Sequence, residues 1–138
     1  MIQIYFMSVS LNILGGIILA FPILIERISF FKIFEDFVNL INDNKKVKSI
    51  FGLLFLITSA LEIIKPYKLP IIGNLIPAVS LFLIGFILFL KQKLPTEVQN
   101  NKKYGKFKSI LESNQQIIGI ISITIGIIHF LAAEIPLL

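Results

Sequence analysis

Glu62 and His129 are the residues of this 138-residue chain whose types and setting could do chemistry, because each stands inside a long apolar stretch. Glu62 is the only charge between Lys48 and Lys65, and His129 is the only ionisable residue from Ser113 to Ala133. A carboxyl and an imidazole in reach of each other can share a proton, and a titratable group inside a membrane span marks a functional site by default. Glu134, a little over one turn beyond His129, could help the pair hold a cation. A second reading places Glu62 at the headgroup boundary, paired with Lys65 or Lys68, and leaves His129 as a satisfied interior donor. One His and two Glu make a sparse set for zinc, so neither a metal nor a cofactor is expected.

Much other chemistry is excluded by what the chain lacks. There is no cysteine, hence no disulfide framework, thiolate metal site, palmitoyl anchor or thiol relay. A single histidine rules out a bis-histidine haem within one chain and the two-histidine motifs of metalloproteases. The glycines at 15, 16, 52, 73, 85, 119 and 126 all lie in apolar runs rather than in a phosphate loop. They read as helix-packing positions. No nucleophile with a matching base can be assembled, so the chain is not expected to be an enzyme and no catalytic residue is assigned.

The elements that must position Glu62 and His129 are four apolar stretches. Residues 1–25 carry no charge, and an apolar run beyond about 18 residues can cross the hydrocarbon core as a helix. This opening run lacks the basic n-region and small-residue cleavage site of a signal peptide. The 16 residues between Lys48 and Lys65 reach only about 24 Å at about 1.5 Å per residue, which makes a short second span. Leu69 to Leu90 gives a third, with Pro70 and Pro77, and 115–134 a fourth. The apolar fraction of 56% and mean hydropathy of +0.89 agree. The expected fold is an all-α integral membrane protein, a single domain forming a four-transmembrane-helix bundle with spans near 2–26, 48–65, 69–90 and 115–134.

Charge sets the expected orientation. Eleven of the thirteen basic residues fall in the loops 27–47 and 91–114 or at their edges, and the turn from Pro66 to Pro70 holds only Lys68. By the positive-inside rule both loops are cytoplasmic and both termini lie outside, in the plasma (bacterial inner) membrane. Topology accounts for the net charge of +5 without nucleic acid, and anionic lipid headgroups are the expected partner of the basic loops. In the first loop Phe30, Phe34, Phe37 and Ile41 recur at helical spacing, as in an interfacial helix. The second loop, rich in Asn, Gln and Lys, reads as mobile.

An internal echo links the spans. Ser10 to Gly15 parallels Ser80 to Gly85 at an offset of 70, and Gly52, Ser59 and Glu62 parallel Gly119, Gly126 and His129 at an offset of 67. Two tandem helix-hairpin repeats, related by an axis along the membrane normal, would give this pattern. Gly119, Ser122, Gly126 and His129 also form one stripe at steps of three and four, as do Gly52, Ser59 and Glu62. Small residues let helices approach closely in lipid, where tails are as apolar as Leu. Asn12, Asn74 and Ser80 are further interior polar candidates. The functional expectation is a noncatalytic accessory or assembly component, binding a membrane partner or a second copy. The alternative is a proton- or ion-coupled transporter or channel subunit acting as an oligomer.

Overall fold

The computed structural model describes residues 2–65, 71–90 and 100–131, and among them there is helix and no strand. The first helix, α1, runs Ile2–Arg27 through Pro22. It ends where Ile28 turns extended, and a 3₁₀ segment, Ser29–Phe34, follows. Then come α2 (Glu35–Asp43) and α3 (Lys45–Ile64). Asn44 caps α3 by accepting from the backbone N–H groups of Lys46 and Val47, at 3.0 and 3.3 Å. Helix α4 (Ile71–Gly85) continues as a π-helical stretch, Phe86–Leu90. Asn101 caps α5 (Lys102–Ser113), and α6 (Gln115–Leu131) leaves it at a bend of 65°.

Among the described residues two helices, α1 and α3, are long and apolar enough to cross a membrane, and the bent pair of α5 and α6 makes a third only if counted as one span. The apolar part of α4 is shorter. The interfacial segment expected over 30–41 is two pieces, because the chain tightens to 3₁₀ before Glu35 and Asp36 start α2. Residues 102–113, expected to be part of a mobile loop, form a capped helix. The turn at Pro66–Pro70 lies outside the described residues.

Two extensive interfaces hold the helices together, α1 against α6 and α3 against α4, with α1 also touching α3 and α4. The first depends on glycine at the point of closest approach. A Cβ at Gly16 would come within 2.5 Å of the Gly119 carbonyl, and one at Gly119 within 2.6 Å of the Gly16 carbonyl. At the second, a Cβ on Gly52 would meet Phe89 at 2.5 Å. Around these contacts Leu19, Phe55, Leu81, Ile84 and Leu88 close a dry core. The outward faces carry Ile50, Leu53, Ile57, Val79, Phe82, Ile121 and Ile128, apolar and exposed.

Candidate functional site

Most of the buried polar side chains lie between the middle of the bundle and the end of the helices away from the basic segments. Following the chain toward that end, α1 presents Asn12, then Ser8, then Tyr5, steps of four and three that keep them on one face. Helix α3 presents Ser59 and then Glu62, and α6 presents Ser122, Gly126 and His129. All of these are buried.

A first layer sits near mid-bundle. Ser122 Oγ donates to the carbonyl of Asn12 at 2.9 Å and lies 3.1 Å from Asn12 Oδ1, and Ser80 Oγ donates to Ser122 Oγ at 2.9 Å. Asn12 Nδ2 donates to the carbonyls of Ser8 (3.1 Å) and Pro77 (3.4 Å). Ser59 Oγ donates to the Ala78 carbonyl at 2.7 Å. Three helices are thus joined through Asn12, Ser80 and Ser122, and α3 is joined to α4 through Ser59.

The second layer holds the titratable pair. Glu62 is 3% exposed and His129 fully buried, with His129 Nε2 3.5 Å from Glu62 Oε1. Ser8 Oγ donates to Glu62 Oε2 at 2.6 Å. The Tyr5 hydroxyl donates to the backbone carbonyl of His129, and its ring lies against the imidazole with centroids 4.8 Å apart. Glu62 therefore faces protein, and its described partners are His129 and Ser8 rather than Lys65. Glu134, the third member of the expected site, lies outside the described residues, as does Lys68.

The residues expected only to pack divide by chemistry. Gly52, Gly119 and Gly126 allow close approach: a Cβ on Gly126 would meet Ile13 Cγ1 at 2.8 Å. Ser59 and Ser122 are instead cross-links between helices. Tyr5 and Ser8 join the site although charge and hydropathy do not single them out. Their signal is the run Tyr5, Ser8, Asn12, Gly15, whose steps of three and four match the stripes on the other helices. Asn74, 2% exposed on α4, differs from the rest, since among the described residues neither its Nδ2 nor its Oδ1 has a hydrogen-bond partner. Among the described residues no three His, Asp or Glu side chains converge as a divalent metal site would require.

Described residues that are helical throughout, with two or three helices fit to cross a membrane and a buried carboxyl–imidazole pair, are what the fold and site define. A protein family of unknown function matches residues 1–129, and the chain belongs to it. No curated protein and no solved structure matches the chain.

Proposed function

We propose that this is a small four-span protein of the plasma membrane, a proton-coupled transport component in which Glu62 and His129 bind and release a proton. The observation that carries this reading is the pair itself: an acid and a base 3.5 Å apart, both buried in an apolar bundle. If helix association were the whole purpose, neutral hydrogen bonds like those of Ser59 and Ser122 would suffice. Burying an ionisable pair is costly. Four helices packed this closely enclose no wide path, so an oligomer is the transporting unit. The basic ends of the helices rest on anionic headgroups of the cytoplasmic leaflet, with Phe30, Ile33 and Leu40 exposed beside them to the interface.

The tandem-repeat reading fits the contacts. The second helix of each copy packs on the first helix of the other, α3 on α4 and α6 on α1, as a twofold axis along the membrane normal requires. Orientation is tested with single replacements, because the chain has no native cysteine. On intact cells an impermeant maleimide should label Lys68→Cys and spare Lys103→Cys, and the opposite pattern reverses the topology.

The proton reading is tested in proteoliposomes with a potassium diffusion potential and an internal pH dye. The parent should pass protons faster than empty vesicles, and Glu62→Gln should return the rate to that baseline. A parent indistinguishable from empty vesicles leaves the noncatalytic accessory reading. That second reading is favoured by the cross-links at Ser59, Ser80 and Ser122, which lock helices without any need to titrate.

A further inference from the structure

Among the described residues of the polar layers, Asn74 is the side chain whose hydrogen-bonding capacity is unused. A buried primary amide offers two donors and an acceptor, and leaving them unmatched in a dry interior costs free energy. Such a group needs a physical account, and a bound ion is one.

Register places Asn74 at the level of the titratable pair. Helices α3 and α4 are antiparallel, and the bond from Ser59 to the Ala78 carbonyl fixes them at one level. From there Ser59 to Glu62 climbs about 4.5 Å and Ala78 to Asn74 about 6 Å at about 1.5 Å per residue, toward the same end of the bundle. Asn74 also lies one turn beyond Pro77, whose carbonyl accepts from Asn12, while Ser8, one turn beyond Asn12, reaches Glu62. The three helices thus bring Ser8, Glu62 and Asn74 to one level.

Among the described residues, the oxygens brought to this level are hard and carry a single negative charge: the Glu62 carboxylate, Asn74 Oδ1 and Ser8 Oγ. A carboxylate has about four lone-pair sites, and the described contacts of Glu62 use two of them, one toward His129 and one toward Ser8. One carboxylate among neutral oxygens suits a monovalent cation better than a divalent one, which prefers more carboxylates. A bare sodium ion is smaller than a water molecule. Glu62 stands two residues before the end of α3, close to one end of the bundle.

We propose that Asn74 and Glu62 form a sodium site, in which the ion competes with the proton for the Glu62 carboxylate. The inference rests on the proton reading of the pair and adds the coupling ion to it. Among the described residues, the titratable groups facing Glu62 are His129 from α6, with Tyr5 of α1 against its ring, while α4 brings the uncharged Asn74 to the same level. Sodium and proton share one carboxylate, so each must weaken the other's binding by the same factor.

The test is sodium calorimetry on the whole protein in nanodiscs, with N-methylglucamine chloride holding ionic strength, alongside infrared titration of the Glu62 carboxyl. The parent should bind one sodium, with affinity falling about tenfold per pH unit once the proton competes. Asn74→Leu should weaken sodium more than about tenfold and leave the carboxyl titration in sodium-free buffer unchanged. Asn74→Gln, which keeps the amide, should retain part of the affinity and guards against misreading a folding defect. Absence of saturable sodium binding by the parent at any pH overturns the proposal, as does binding that Asn74→Leu leaves intact. The carboxyl titration reports separately on the proton reading, so a titrating Glu62 without sodium binding sinks the ion site alone.

Discussion

The two ends of the helix bundle solve one packing problem by different means. Toward the basic end α1 meets α6, and α3 meets α4, through glycine backbones in contact and a filling of Leu19, Phe55, Leu81, Ile84 and Leu88. Toward the Glu62 end the same helices meet through hydroxyls, an amide, a carboxyl and an imidazole. In water the apolar end would supply most of the stability by burial. In lipid it gains little from burial and depends on close contact, while the polar end gains from bonds that hydrocarbon cannot replace. Cutting one polar group should therefore strand its partner, whereas enlarging one glycine should push neighbouring backbones apart.

The largest effect is expected from His129→Leu, which leaves a buried Glu62 with Ser8 as its one described partner. Removing one member of a buried pair typically costs about 3 to 5 kcal/mol. Replacing both members by apolar residues is often near neutral, so the double variant Glu62→Leu with His129→Leu should be more stable than His129→Leu alone. Denaturation in mild detergent at neutral pH measures this. If the double variant is as unstable as the sum of the two single variants, the residues act independently and the polar end is no unit.

The glycine end is probed next by Gly119→Ala against Gly126→Ala. At Gly119 the added Cβ meets backbone, the Gly16 carbonyl at 2.6 Å and the Ala20 nitrogen at 2.7 Å, and neither can move without shifting a helix. At Gly126 the nearest atom is the side-chain Ile13 Cγ1 at 2.8 Å, with the Val9 carbonyl at 3.2 Å. Overpacking costs about 1 to 3 kcal/mol, and Ala gains up to about 1 kcal/mol over Gly in a helix. Gly119→Ala should thus lower the melting temperature clearly and Gly126→Ala only slightly. Equal losses would mean that backbone contact is not what distinguishes the basic end.

How much of the molecule is legible in the sequence follows the same division. The long apolar runs, broken by charge only at Glu62 in the second, mark α1 and α3 directly, and the offset of 67 aligns Glu62 with His129 by spacing alone. The stripes on α3 and α6 are visible because a few small residues stand out among Ile, Leu and Phe. Ser8 and Tyr5 are not, since single hydroxyls in a 26-residue apolar helix give no charge signal and their role depends on residues 54 and 124 positions away. The 3₁₀ break after Ile28 and the helix at 102–113 depend on local backbone geometry and on the Asn101 cap, which composition hides. Asn74 shows the limit: the sequence marks it as an interior polar residue, and only packing reveals that no described residue bonds to its amide.

The smallest expected effect lies where α5 docks on the π-helical end of α4. Phe107 and Tyr104 sit against Phe86, with centroids 5.3 and 6.4 Å apart, and among the described residues the Tyr104 hydroxyl has no hydrogen-bond partner. Burial, with a smaller contribution from the charge of Glu112, raises the Tyr104 phenol above its ordinary 10.0. Below that value both folded and unfolded chains hold the proton, and the contribution to stability is constant. As pH rises past about 10 the unfolded chain ionises first, so stability falls progressively until the folded value is passed. Tyr104→Phe removes this alkaline loss, and at neutral pH it changes stability by less than about 1 kcal/mol, since the lost hydroxyl bonds to no described group. Melting curves of parent and variant from neutral to alkaline pH should diverge only at the alkaline end. Curves that stay parallel would show that the phenol is solvated and that α5 rests on α4 less tightly than the aromatic contacts imply.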